Sequence, residues 1–441
     1  MMTDGIAVKK KSSIHWGILV GVAIGMLNSM IIQTMMSTSM STISKEFNSK
    51  VSYSWIYGGY VLASAMTMPL FGHICDKFGS KKNFIIGYII FTAGTLVGWS
   101  APNMAMLILS RVIMGLGSGI SVPAIYGIIG EYFEKKSYKI VFATLALITI
   151  VGKGLGSIWG SYFISTSSWR NGFLSLLPLE IVAIILIAVF VAKTSEIKND
   201  SVLNVRHALI LSAAICCLMF GFDRMTERPL FAILLPIGVL LLIWIFVSES
   251  KKENGVIPYE MKNNKKLQKM MIQMFFMGAC INVAIAYFPT VLQTSLGMSV
   301  KMSSICLVIY VVGSGIGSIL GATMKGKGSK SIFGGWGSVV LGCFLSFICQ
   351  YTAGAVIYVG LVLIGVGLGI LGTVLLSNVV EQAEDNKSTV SSLTHLTRNI
   401  GASLGVMVFG GVLGSTLSPL SIGLFICAAA GFVLNIRKGK A

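Results

Sequence analysis

Charge is what this chain has least of, and acid is scarcest. Of its 441 residues 11% are Asp, Glu, Lys or Arg, 54% are hydrophobic, and only 16 are acidic. A soluble domain carries about 25% charged residues. So little charge over so much apolar mass excludes a water-facing surface and leaves a lipid bilayer as the expected solvent. Histidine is rarer still, and the four present are too scattered for a metal site. The eight cysteines form no CxxC pair and fall almost entirely in apolar segments, so they read as small hydrophobes rather than disulfides or metal ligands. No phosphate-binding glycine loop is present, and no nucleophile–base or metal constellation marks an enzyme. The first apolar stretch is too long for a signal peptide and lacks a small-residue cleavage site.

What remains is a series of apolar runs separated by basic loops. A transmembrane helix takes about 20 apolar residues. By that template the spans are 16–38, 53–73, 83–100, 104–128, 139–163, 172–192, 206–222, 230–248, 270–292, 302–323, 332–350, 354–379, 390–414 and 417–436, about fourteen in all. The net charge of +18 forms no basic stripe with interleaved aromatics, so nucleic acid is not an expected partner. It is instead divided by side. With both termini inside, the outer loops carry only Lys45, Lys50, Arg170, Arg224, Arg228 and Lys301. The inner ones hold clusters such as Lys9–Lys11, Lys135–Lys136 and the run from Lys251 to Lys269. That asymmetry is the positive-inside bias. Removing one span inverts the later loops and destroys it. Removing the pair 206–222 and 230–248 preserves it, so twelve spans stay open as an alternative.

The expected architecture is all-α: a six-helix bundle over residues 1–200, an extra helix pair with a basic linker over 201–268, and a second six-helix bundle over 269–441. Internal repetition supports two halves. Gly321 to Gly328 repeats the spacing of Gly72 to Gly79, with Lys325 where Asp76 stands.

Five stretches carry a family resemblance. Gly72-His-Ile-Cys-Asp76-Lys77-Phe-Gly79-Ser-Lys81-Lys82 is similar to the loop between helices 2 and 3 of the major facilitator superfamily. Ser54-Trp55-Ile-Tyr-Gly-Gly-Tyr60 followed by Pro69, and Arg111-Val-Ile-Met-Gly115-Leu-Gly117-Ser-Gly119, resemble helices 2 and 4 of its fourteen-helix drug:proton antiporter branch. Gly152-Lys153-Gly154-Leu-Gly156-Ser157-Ile-Trp-Gly160 occupies the place of the antiporter motif of helix 5. Arg398-Asn-Ile-Gly401-Ala-Ser-Leu-Gly405 resembles the penultimate helix. Two departures stand out. The usual helix 1 aspartate is replaced in Asn28-Ser-Met-Ile-Ile-Gln33, and the usual helix 5 prolines are replaced by Lys153 and Ser157.

The resemblance implies roles. Gly72, Asp76, Gly79 and Lys81 would form a conformational latch, its loop docking on the opposite half. Gly115, Gly119, Gly152, Gly156 and Gly160 would pack helices closely. Arg111, Lys153, Glu180 and Arg398 are the candidates for coupling or substrate contact, because a charge at depth costs at least about 2.5–3.5 kcal/mol and so faces a cavity or a partner. Arg111 reads either as such a contact or as a hub tying helix 4 to helix 1. Lys153 lies about 15 Å and Glu180 about 12 Å from the outer ends of their spans. They pair, or else Lys153 lines the central cavity to bind an anion or exchange a proton. His395 shares a face with Arg398. Asn28, Gln33, Trp55, Tyr60, Asn282, Tyr287, Gln293 and Tyr310 suit a cavity wall.

The implied function is secondary transport by alternating access, exporting amphipathic organic compounds in exchange for protons. No cofactor is expected beyond the proton gradient. The expected setting is a bacterial-type inner membrane, with lipid, protons and a small-molecule substrate as partners and the monomer as working unit. A carrier for an anionic metabolite or lipid, using Lys153 and Arg111, is the alternative. A sensor or scaffold without transport is the third class.

Overall fold

Long apolar segments in lipid must satisfy every backbone donor and acceptor internally, so they form helices. The computed structural model describes residues 16–48, 54–133, 138–192, 228–250, 264–324, 328–348, 356–382, 387–409 and 417–436, with a few residues between 209 and 221. At some positions within these, including Asp76 and His395, only the backbone is described. The helices are α1 (Trp16–Phe47), α2 (Ser54–Phe78), α3 (Ser80–Trp99), α4 (Met104–Tyr132), α5 (Tyr138–Thr166), α6 (Trp169–Leu174) and α7 (Leu177–Phe190). A 3₁₀ turn at Pro229–Ile233 leads into α8 (Leu234–Ser250). Then come α9 (Lys265–Ser295), α10 (Val300–Thr323), α11 (Gly328–Ile348), α12 (Val356–Gln382), α13 (Lys387–Val408) and α14 (Leu417–Ile436). Among the described residues, eight stretches are long and apolar enough to cross a bilayer, and Pro229–Ile245 and Leu420–Leu434 are shorter apolar helices. About half of the expected span 206–222 lies outside the described residues, and the described half is helical.

The structure corrects the expected boundaries in four places. The 172–192 span is broken into α6 and α7 at Ser175 and Leu176. Pro178, in the first turn of α7, has no amide hydrogen to continue a helix from before it. The expected spans 16–38 and 270–292 are the long helices α1 and α9, of 32 and 31 residues, about 45 Å each. Asn264 sets the start of α9 by accepting hydrogen bonds from the amides of Lys266 and Leu267. The glycine turn between α2 and α3 is a single residue, Gly79, with φ 86°. Only glycine adopts that backbone without strain.

The packing repeats itself. In the first half α1 lies against α5 and α7, and α4 against α2 and α3. In the second, α9 lies against α13 and α14, and α12 against α10 and α11. The halves meet through α1 on α9, α5 on α10 and α2 on α13. Exchanging α1, α2 and α5 for α9, α10 and α13 reproduces the same three contacts, which is the signature of a pseudo-two-fold axis between parallel repeats. Outward faces are apolar: Leu147, Val151, Leu155, Ile158 and Tyr162 form an exposed stripe at helical spacing on α5, and Val312, Ile316 and Ile319 do so on α10. Such faces suit acyl chains.

Candidate functional site

The ends of the halves differ in charge, one rich in lysine and one poor, and the two ends are built differently. At the lysine-rich end, Gly79 turns the chain and Ser80 donates to Glu131 of α4 at 2.6 Å. Lys81 donates to the carbonyls of Ala188 and Val191, at 2.6 and 2.5 Å. It thereby caps the carbonyl end of α7, where a cation is favoured. So Lys81 ties the junction to its own half rather than to the opposite one. The side chain of Asp76 and the surroundings of Gly72 lie outside the described residues.

Arg111 is fully buried. Its Nε donates to the carbonyl of Ile56 at 3.0 Å and its guanidinium lies 4.6 Å from the centre of the Tyr60 ring. Arg111 thus ties α4 to α2, not to α1 as the hub reading had it. The glycines on this helix serve the same contact: Gly115 abuts the carbonyl of Tyr60 and Gly119 that of Ser64. Tyr60 turns its hydroxyl away, donating to Ser118 at 2.9 Å.

Glu180 is also fully buried, and it does not pair with Lys153. Its Oε1 accepts from Asn28 of α1 at 3.0 Å and from Thr95 of α3 at 2.8 Å. Asn28 is therefore part of a polar knot joining α1, α3 and α7. Its Oδ1 is buried without a partner, and the hydroxyl of Thr92 lies beside the Glu180 carboxylate.

At the lysine-poor end, polar side chains sew the halves together. Thr38 of α1 meets Ser157 of α5 at 3.1 Å, and Ser157 donates to the carbonyl of Ser304 on α10 at 3.2 Å. Gln293 of α9 accepts from Ser41 and donates to Ser303 at 2.7 Å and to the carbonyl of Thr38 at 3.5 Å. Tyr57 donates to Asn282 at 2.8 Å. Beside this seam Arg170 pairs with Glu46 at 2.6 Å, and Trp169 donates to Glu46 at 2.7 Å. Among the expected wall residues, Asn282 and Gln293 therefore join the halves. Tyr287 is spent on the carbonyl of Val406 at 2.9 Å. Trp55 packs on Phe220 with centroids 4.6 Å apart, and Tyr310 on Phe288 at 6.4 Å. Gln33 is buried.

Lys153 and Arg398 occupy the middle of α5 and α13. Gly152, Gly156 and Gly160 press α5 onto α1, meeting Met30, the carbonyl of Ile31 and Met35. On the adjoining stripe, Ile150 reaches Gly315 of α10 and Ser157 bonds Ser304. Lys153 lies between those two on the same stripe, so it points at the seam between halves and not at lipid. It is half-buried, within electrostatic reach of Arg398, and has no hydrogen-bond partner among the described residues.

A signal missed in the sequence explains this juxtaposition. Lys153, Gly156 and Gly160 have the spacing of Arg398, Gly401 and Gly405. The structure makes the match literal. Gly156 abuts Ile31 and Gly160 abuts Met35 of α1, while Gly401 abuts Phe275 and Gly405 abuts Ala279 of α9. Lys153 and Arg398 are equivalent positions of the two repeats.

Two parallel helical repeats, meeting through paired helices around polar and basic side chains at mid-depth, define a multi-pass membrane transporter. Residues 22–406 match the family model of the Major Facilitator Superfamily; the chain belongs to that superfamily and is a transporter rather than an enzyme. Multidrug resistance protein 3 of Bacillus subtilis is 24% identical to it over 410 residues, covering 89% of this chain and 79% of that protein. A multidrug resistance protein B homolog of Mycobacterium tuberculosis is 26% identical over 380 residues, covering 84% of this chain but only 64% of that longer protein. Among solved structures, a POT family transporter in complex with 5-aminolevulinic acid superposes with a TM-score of 0.71 at 15% identity, covering 96% of this chain and 94% of that one. A bacterial homolog of the human lysosomal transporter Spinster gives 0.63 at 14% identity, covering 96% and 95%. At those identities the likeness is one of fold.

Proposed function

We propose that this chain is a fourteen-span secondary transporter that exports amphipathic organic compounds across a bacterial inner membrane in exchange for protons. Its two bundles, residues 1–200 and 269–441, rock about a site at mid-depth, with 201–268 as the extra pair and linker and both termini in the cytoplasm. It works as a monomer. The observation that carries the reading is the polar seam at the lysine-poor end. Thr38–Ser157–Ser304 and Ser41–Gln293–Ser303 are weak neutral contacts where α1 and α5 of one bundle meet α9 and α10 of the other, and a seam of this kind closes one side and releases without breaking either bundle. Hydrogen bonds of about 1 kcal/mol each hold a gate that a ligand's differential binding of a few kcal/mol can shift. The names of the relatives favour amphipathic organic cargo. Arg111 and the Glu180 knot belong to the rigid part of the first bundle.

The test is purified protein in liposomes with an internal pH reporter. Adding an amphipathic substrate is expected to drive proton movement across the membrane. Substrate movement without proton movement would remove the coupling and leave a facilitator; movement of neither would remove the transport reading.

A further inference from the structure

Two basic side chains, one from each half, lie within electrostatic reach of each other, with no described carboxylate beside them. The glycine spacing makes Lys153 and Arg398 equivalent positions on α5 and α13, each of which packs on a helix of the opposite half, α5 on α10 and α13 on α2. Both are half-buried, at mid-length of their helices, and within electrostatic reach of each other. Arg398 is also within reach of Tyr126 on α4, which places it facing the first half. The described carboxylates that could neutralise them are occupied elsewhere. Glu46 pairs with Arg170, Glu131 accepts from Ser80, and Glu180 is enclosed between α1, α3 and α7.

Like charges brought together in a membrane interior repel one another and lose hydration. A fold keeps such a pair when an anion completes it. Arginine offers a planar fork that holds a carboxylate, sulfonate or phosphate by two parallel hydrogen bonds, and lysine adds a point charge with three rotatable donors. One cation comes from each bundle, so an anion bridging them is held by both halves at once and is the kind of ligand whose binding is sensitive to their relative rotation. Arg111 does not share this role, being enclosed between α2 and α4.

We propose that Lys153 and Arg398 together bind the negatively charged group of the transported compound at the axis between the bundles. This rests on the transporter reading and names its substrate class: amphipathic organic anions. The same chemistry would take a free anion or the headgroup of an anionic lipid.

The experiment uses full-length protein in phosphatidylcholine liposomes with three probes: carboxyfluorescein, ethidium, and fluorescently labelled phosphatidylglycerol with labelled phosphatidylcholine as its neutral control. Wild-type protein is expected to move an anionic probe. Lys153→Gln and Arg398→Gln are each expected to slow it about tenfold or more, and Lys153→Arg and Arg398→Lys to restore part of the rate. Movement of carboxyfluorescein identifies a free organic anion; movement of phosphatidylglycerol but not phosphatidylcholine identifies a headgroup. Anion rates unchanged in both Gln variants would overturn the proposal. Transport of ethidium alone would overturn it while leaving the transporter reading standing. If the folded protein moves neither charge, the transporter reading falls and the proposal falls with it.

Discussion

Buried cations are held in this protein in two opposite ways. Arg111 sits inside one bundle, its guanidinium spent on the Ile56 carbonyl and the face of Tyr60. Lys153 and Arg398 come from different bundles, half-buried and within electrostatic reach of each other. The cost of taking a charge out of water is of the same kind in all three. At Arg111 the fold offsets part of it with built-in neutral partners, although Nη2 stays buried without one. Between the bundles no described carboxylate offsets it, and on the proposal above a bound anion completes the balance. A charge with built-in partners is therefore structure, and a charge kept without them points to traffic through the site.

The largest effect expected from this contrast is at Arg111. Arg111→Ala removes one of the largest fully buried side chains and leaves the Ile56 carbonyl without its donor, so it should cost about 3 kcal/mol of stability. Thermal unfolding followed by intrinsic fluorescence in detergent measures it, and an unchanged Tm would break the contrast. Glu180 is next, as the anionic counterpart of Arg111. Glu180→Leu strands the donors of Asn28 and Thr95 and should cost about 2 kcal/mol. Glu180→Gln keeps one acceptor oxygen for them and adds an amide facing the orphaned Asn28 Oδ1, so it should be near neutral. A Gln variant as damaged as the Leu variant would mean that the negative charge, not the hydrogen bonding, holds α1, α3 and α7 together.

How much of this was readable in advance differs between the two kinds of site. Spans of about twenty apolar residues and a one-sided lysine distribution are local signals, and they placed the described helices to within several residues. They failed where a single residue decides: Pro178 splits the sixth span, Asn264 lengthens α9, and Gly79 alone makes the turn. Depth counting also misled. Lys153 and Glu180 lie at similar depths, yet depth leaves rotation about each helix free, and Glu180 turns toward Asn28 and Thr95. The repeat of Lys153, Gly156 and Gly160 in Arg398, Gly401 and Gly405 was present in the chain. It gains meaning only once both glycine pairs are seen against equivalent helices. Arg111's partners, a backbone carbonyl and a ring on α2, leave no trace at the sequence level.

The seam at the lysine-poor end lies between these extremes, since its bonds are satisfied but join separate bundles. Gln293→Leu deletes the bridge from Ser41 to Ser303, at a cost of about 1 kcal/mol to the closed arrangement. With a cysteine in place of Ser37, labelling by a membrane-impermeant maleimide from the lysine-poor side should quicken about fivefold. An unchanged labelling rate would mean that the apolar packing of α1 on α9 alone keeps that side shut.

The smallest effect sharpens the contrast most, because its sign is opposite. Replacing Arg111 removes a charge the fold has already accommodated, whereas Lys153→Met removes one that repels Arg398 and keeps an unbranched apolar stem of similar length. Without ligand, the variant should be unchanged or more stable by about 0.5 kcal/mol, in the direction expected when a site held for function is relaxed. Thermal unfolding of the two proteins side by side, free of any anion that could occupy the axis, reads the difference. A Lys153→Met protein that melts well below wild type would show that Lys153 has a structural partner, and the line drawn between the two kinds of cation would then vanish.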